Sequence, residues 1–138
     1  MTDPMLSLAG LAPMGGKVVM AKFDGGLLSS DDAPFLTNGS RLSLFVIMDC
    51  LNGLFHDPRT ESLAAALLKS PGGGAVGVWA SSGVTDPNGQ ADMNQALVPS
   101  LFQGLTLGES TVKAKQNVAD PDVRRTWILF GDPTTRIR

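Results

Sequence analysis

Cys50 is the only cysteine of the 138-residue chain, and it follows a nearly continuous apolar stretch. That stretch, 42–48, predicts a buried strand, and Asn52-Gly53 comes directly after the thiol. The pattern predicts a nucleophile-type side chain at the carboxyl edge of a sheet, where ligands bind in open α/β sheets. The chemistry that this allows is attack of a thiolate on a carbonyl carbon, with backbone N–H groups stabilising the oxyanion. From the residues alone, Cys50 fits a small buried hydrophobe as well.

Two residues close to Cys50 are candidates for the rest of this chemistry. The backbone N–H of Gly53 is a candidate oxyanion donor, although Asn52-Gly53 also fits an ordinary turn after a strand. His56, the only histidine, is a candidate substitute base beside Asp57. Adjacent side chains point in different directions, so His56 also fits an exposed loop residue. One histidine and one cysteine fall short of the ligand set of a zinc site, and we predict no metal.

Composition excludes several classes of function. The net charge of −2 gives no basic surface for nucleic acid, and 43% hydrophobic with 17% charged residues is typical of a globular domain. No apolar stretch approaches the roughly 18 residues of a membrane span. The segment 1–16 lacks the basic start of a signal peptide. Glycines 72–74 lack the lysine of a phosphate loop, so no cofactor is predicted. A lone cysteine leaves the redox compartment and the localisation open.

The predicted elements alternate along the chain. Three helix starts carry recognisable capping residues: Thr60, Asp86 followed by proline, and Thr106 with Glu109 at capping-box spacing. Strands separated by helices favour a mostly parallel α/β sheet. We expect a loose leader over 1–16 and one domain over 17–138. The predicted strands are 17–23, 42–48, 75–80 and 126–130, and the predicted helices are 30–37, 60–69, 86–102 and 106–117.

Several separate stretches resemble one peptidase family when they are taken together and in order. The most specific are the Cys-x-Asn-Gly step that begins at Cys50 and the Phe-Gly-Asp-Pro ending at 130–133. The sequence is similar over roughly 27–138 to the gingipain-type cysteine peptidases, family C25. The other matching stretches are 26–32, 62–64, 74–76, 79–81 and 89–94.

The resemblance implies a caspase-like fold, in which a mostly parallel sheet is flanked by helices, here truncated at its N-terminal side. It implies that Cys50 is the nucleophile and that the loop after Trp79 shapes the substrate pocket. Trp79, Ser81 and Ser82 are therefore candidate substrate-binding residues, with core packing as the alternative for Trp79. The family's base lies in a His-Gly pair after the preceding strand, where this chain has Asp24-Gly25-Gly26.

The function implied by the resemblance is hydrolysis of peptide bonds through a Cys50 thioester. Three states remain open: an active peptidase whose base comes from a partner chain or from His56, an inactive remnant that binds peptides or proteins, and a truncated product of a longer gene. The expected partner is a peptide or protein substrate, with no nucleic acid and no membrane. The unpaired edge of the strand beginning at Lys17 predicts a homo-oligomer, or a partner chain that completes the sheet.

Overall fold

A computed structural model describes residues 18–21 and 28–137 of the chain. Its centre is a four-stranded sheet with the strand order β1-β2-β3-β4. The first three strands are parallel to one another, and β4 is antiparallel to β3. The elements are β1 (Val18–Ala21), a 3₁₀ turn (Ala33–Phe35), β2 (Ser43–Ile47), α1 (Leu63–Lys69), β3 (Ala75–Ser81), α2 (Pro87–Phe102), α3 (Leu107–Gln116), α4 (Pro121–Thr126) and β4 (Trp127–Gly131).

The sheet separates two apolar cores. Side chains alternate across a strand, so Leu44 and Val46 of β2 face one core while Phe45 and Ile47 face the other. The first core lies against α2, α3 and α4, and the second lies against α1 and the 3₁₀ turn. A strand that is buried on both faces needs a continuous apolar run, which is what the sequence of β2 provides. The layers are therefore helix, sheet and helix.

Helix ends explain where several elements begin. The Thr106 hydroxyl accepts the Glu109 N–H, and the Glu109 carboxylate accepts the Thr106 N–H, so the predicted capping box is confirmed. The predicted cap at Thr60 is wrong, because Ser62 accepts the Ala65 N–H at 3.2 Å and α1 begins at Leu63. The Thr60 hydroxyl instead donates to the Asp57 carboxylate.

The predicted fold class, an α/β protein with a mostly parallel sheet, is confirmed. Two local expectations differ from the structure. The helix predicted from residue 30 is only a 3₁₀ turn, Ala33–Phe35. The helix α4 was not predicted, although Asp120-Pro121 supplies a side-chain cap and a proline in the first turn. The expected leader over 1–16 lies outside the described residues, and the domain boundaries stay a prediction.

Candidate active site

Cys50 lies in the turn that follows β2, at the carboxyl end of the parallel strands, and its side chain is half-buried. The Asp49 carboxylate organises this turn. One of its oxygens accepts the Cys50 backbone N–H at 2.7 Å, and the other accepts the Asn52 side-chain amide at 3.4 Å. The turn that carries the thiol is thus stabilised by hydrogen bonds between residues of the turn itself.

Leu51 has a backbone conformation that is unusual for a branched side chain. Its φ is 65°, and it is the only non-glycine residue with positive φ in the described part of the chain. This region costs an L-residue roughly 1–2 kcal/mol, so surrounding contacts must enforce it. The Leu51 N–H donates to the Gly83 carbonyl at 3.3 Å, and the Leu51 carbonyl accepts the Leu54 N–H at 3.0 Å. The turn that carries the thiol is therefore tied to the loop after β3.

The Cys50 sulfur faces the loop between β3 and α2. The backbone N–H of Thr85 points at Sγ from 3.4 Å, and Nε2 of Gln90 does so from 3.6 Å. The Thr85 carbonyl, at 3.6 Å, is placed to accept the thiol proton. Gln90 Nε2 also donates to the Thr85 hydroxyl at 2.8 Å and to the Thr85 carbonyl at 3.2 Å. Donors and an acceptor thus surround the sulfur on its buried side.

Gly53 packs directly against β3. Its N–H donates to the Ser81 carbonyl at 2.8 Å. A Cβ at this position would lie 2.9 Å from the Phe130 ring and 3.2 Å from the carbonyl oxygens of Ala80 and Ser81. The sequence therefore needs glycine here for close approach. The oxyanion role stays a prediction, and it requires the Gly53 N–H to leave the Ser81 carbonyl.

His56 is exposed, and no hydrogen bond joins it to Cys50 in the described part of the chain. Its ring packs edge-on against Phe55, with 5.4 Å between the ring centroids. The neighbouring Asp57 turns towards the residues that follow it. The Arg59 N–H, then the Thr60 hydroxyl, and to a smaller degree the charge of His56 hold the pKa of Asp57 below its usual value. The role of His56 as a substitute base stays a prediction.

Trp79 is a core residue in this structure, only 1% exposed. Its ring lies 5.5 Å from that of Trp127, centroid to centroid, inside the core formed by α2, α3 and α4. This position corresponds to the core-packing alternative that the sequence left open. Because Trp79 is buried, it could affect a substrate only indirectly, through the residues that cover it.

Ser81 and Ser82 brace the loop after β3. The fully buried Ser81 hydroxyl donates to the Gly83 carbonyl at 3.0 Å and lies 3.3 Å from the Thr126 hydroxyl. The Ser82 hydroxyl donates to the Thr126 carbonyl at 2.9 Å. Both serines thus fix the loop that carries Thr85 against Thr126, the last residue of α4. Direct substrate binding by either serine stays a prediction.

Sequence reasoning missed the residues that touch the sulfur, Thr85 and Gln90. The sequence did contain a signal, since Gly89-Gln90 belongs to one of the stretches that resemble the gingipain family. Asp86 was expected to cap α2. It occupies the N-cap position, but its side chain makes no capping hydrogen bond. The exposed Asp86 carboxylate, next to Thr85 in the sequence, therefore does not cap α2.

Two further features concern residues 18–21 and 28–137. No helix there is long and apolar enough to cross a membrane. No three histidine, cysteine, aspartate or glutamate side chains within these ranges come together as a metal ion would require.

The arrangement defines the class of protein: a caspase-like α/β domain with a cysteine at the carboxyl end of a central parallel strand. The model of Peptidase family C25 matches residues 13–138, and the chain belongs to this family. The resemblance stated from the sequence is thereby confirmed. Comparison with curated proteins gives no match.

Two solved structures share this fold. One is the Arg specific cysteine proteinase gingipain R (RGPB), with a TM-score of 0.66, 22% identity, and coverage of 89% of this chain. The other is a complex of the pro- and mature domains of RgpB from Porphyromonas gingivalis, with a TM-score of 0.63, 25% identity and 86% coverage. The chain spans only 33% and 34% of those two chains.

Proposed function

We propose that this chain is a cysteine peptidase domain in which Cys50 is the nucleophile. The observation that carries the proposal is the position of Cys50, half-buried at the carboxyl end of β2 in a member of Peptidase family C25. Its substrate is a peptide or protein. An arrangement that ends a parallel strand with a thiol and surrounds it with N–H donors suits attack on a carbonyl carbon.

The reaction proceeds in two steps. The Cys50 thiolate adds to the carbonyl carbon, and the C–N bond breaks as the leaving amine takes a proton from a general acid. This leaves a thioester on Sγ. Water then adds to the thioester carbon, loses its proton to a base, and releases the carboxylic acid and the thiolate. The acid and base are one group in different protonation states.

Whether this acid–base group is present separates the hypothesis of an active peptidase from the alternative of an inactive remnant. His56 is the chain's only imidazole, and it lies exposed in the turn after the site. In the active reading, His56 or a partner chain provides the proton transfer. In the alternative, the domain is an inactive remnant that binds peptides or proteins beside Cys50, and the absence of a second histidine from the sequence favours it.

The test is cleavage of a fluorogenic peptide library by the full chain, compared with Cys50→Ala and His56→Ala. The active reading expects turnover that Cys50→Ala abolishes, together with a peptidyl adduct on Cys50 in mass spectrometry after acid quench. Loss of turnover in His56→Ala would identify the base. Equal, background cleavage by the wild type and Cys50→Ala would rule out the peptidase. Peptide binding without cleavage would then establish the remnant.

A further inference from the structure

Two N–H groups converge on the Cys50 sulfur, and both come from buried residues. The Thr85 N–H lies 3.4 Å from Sγ, and Gln90 Nε2 lies 3.6 Å from it. Gln90 is 4% exposed, so its amide meets little competing water. A second hydrogen bond of Gln90 Nε2, to the Thr85 hydroxyl at 2.8 Å, fixes the direction of the amide.

We propose that Gln90, together with the Thr85 backbone amide, is a positioning residue that holds the Cys50 sulfur and stabilises its thiolate. What the thiolate then does rests on the proposed function. Hydrogen bonds to the charged form of an acid favour that form, and they strengthen when the acceptor is ionised and water is excluded. Two N–H donors aimed at a half-buried sulfur therefore suit a thiolate, which accepts hydrogen bonds, better than they suit a neutral thiol.

The Thr85 carbonyl at 3.6 Å opposes this effect, because it accepts the proton of the neutral thiol. Gln90 reduces that opposition, since its Nε2 also donates to this carbonyl at 3.2 Å. Nε2 carries two N–H groups, and the Thr85 hydroxyl takes one of them at 2.8 Å. The other N–H is therefore shared between the Cys50 sulfur and the Thr85 carbonyl, and through it Gln90 acts on both.

The face of α2 towards Cys50 is more polar than core packing requires. Asn94, one turn after Gln90, is 3% exposed and donates to the Gln90 carbonyl at 2.9 Å and to the Met48 sulfur. Its Oδ1 has no hydrogen-bond partner among the described residues. Helix faces that cover a sheet are ordinarily apolar, and buried amides cost free energy unless they are bonded. Of the two amides on this polar face, that of Gln90 reaches the sulfur, and it suits a role at the thiol.

Two carboxylates are sequence neighbours of residues at the site, and a negative charge close to a thiol disfavours its ionisation. Asp49 precedes Cys50, and Asp86 follows Thr85. The Asp49 carboxylate faces the Cys50 N–H and the Asn52 amide. Asp86 is exposed, so solvent screens its charge. The donors must offset what remains of these charges, and loss of Gln90 would remove one of the two donors.

The experiment compares the full chain with Gln90→Met and Gln90→Glu. The methionine variant keeps the length of the side chain and removes the N–H donors, whereas the glutamate variant keeps the shape and reverses the hydrogen-bonding character. Gln95 lies exposed on the same helix, so Gln95→Met and Gln95→Glu are the matched controls. Two quantities are measured at neutral pH: the rate of Cys50 alkylation by iodoacetamide, and the thiolate ultraviolet absorbance that Cys50→Ala removes.

We expect the thiolate absorbance and the alkylation rate to fall about tenfold in Gln90→Met and at least as far in Gln90→Glu, the size of one hydrogen bond to a charged group. The Gln95 variants should stay within about twofold of the wild type. Unchanged absorbance in folded Gln90 variants would overturn the proposal, even if thermal melting showed lower stability, because a merely structural role moves stability alone. If neither Gln90 variant folds, the wild type alone provides the test. The proposal is then overturned if the thiolate fraction of Cys50 is no higher in the folded wild type than in the wild type in denaturant.

This outcome is separable from that of the proposed function. Alkylation and absorbance need no substrate and no base, so they test Gln90 even in a chain that cleaves no peptide. Conversely, a peptidase that depends on Cys50 but shows no effect of Gln90 would refute the positioning role and leave the peptidase intact.

Discussion

The backbone N–H of Gly53 donates a 2.8 Å hydrogen bond to the Ser81 carbonyl, which joins the turn after β2 to the end of β3. The contact places Cys50 opposite the loop that carries Thr85. It also explains why a glycine stands at this position, since the approach of the two backbones leaves no room for a side chain. Together with the bond from the Leu51 N–H to the Gly83 carbonyl, this contact fixes the turn that carries the thiol against β3 and the loop after it.

Gly53→Ala is expected to destabilise the fold by about 1–3 kcal/mol, the usual cost of overpacking. The added methyl would lie 2.9 Å from the Phe130 ring and 3.2 Å from two carbonyl oxygens. Urea denaturation of the wild type and the variant measures the difference. Equal midpoints would show that the turn can move away from β3 without cost, and the close approach would not be a requirement of the fold.

The α1 cap gives a test in which sequence and structure disagree. Ser62→Ala removes the hydroxyl that accepts the Ala65 N–H, and we expect a loss of about 1 kcal/mol in the free energy of unfolding. Thr60→Ala is the matched control, because the Thr60 hydroxyl donates only to the exposed Asp57 carboxylate. The control should change the free energy of unfolding by less than about 0.5 kcal/mol. If Thr60→Ala lowered the free energy of unfolding more than Ser62→Ala, Thr60 would be the cap, as the sequence predicted.

The sheet could be predicted because its strands are nearly continuous apolar runs bounded by glycine, proline and polar residues. The 42–48 prediction extends one residue beyond β2 at each end, and the 75–80 prediction stops one residue short of the end of β3. The position of Cys50 followed from the same signal, since a thiol directly after a buried parallel strand can lie only at the carboxyl edge of the sheet.

The contacts of the thiol could not be predicted in the same way. Thr85 and Gln90 are 35 and 40 residues away from Cys50 along the chain. No local pattern states which side chains a loop will bring to a strand end, because that depends on how α2 packs against the sheet. Trp79 shows the same limit, since its sequence position allowed both a pocket and the core, and its burial beside Trp127 is seen only in the structure.

Acid is expected to destabilise the fold through carboxylates that accept local hydrogen bonds. The N–H and hydroxyl of Thr106 hold the pKa of Glu109 below its usual value, and the N–H and hydroxyl of Thr134 do the same for the pKa of Asp132. A pKa that is lower in the folded chain contributes stability above the unfolded value, about 4. That contribution is lost as the pH falls through the lower folded value.

The measurement for this prediction is the urea midpoint at neutral pH and at a series of pH values below about 4, where protonation of the unfolded chain sets in. Glu109→Gln keeps an acceptor oxygen in the capping box but cannot titrate, so it should lose less stability on acidification than the wild type. Identical losses in the two proteins would mean that Glu109 contributes nothing to the pH dependence, and Asp132 and Asp57 would be the next substitutions.

The outer side of β1 offers a test of association. Within the described part of the chain β1 pairs only with β2, so its other edge presents backbone N–H and carbonyl groups without a partner. Such edges favour pairing with another chain, and one of the solved relatives is a complex of two domains of its own protein. We expect a homo-oligomer of this chain, or a stable complex with a chain that supplies further strands. Light scattering after gel filtration measures the mass directly. A stable monomer that does not aggregate at high concentration would contradict the prediction, and the edge of β1 would then need protection from within the same chain.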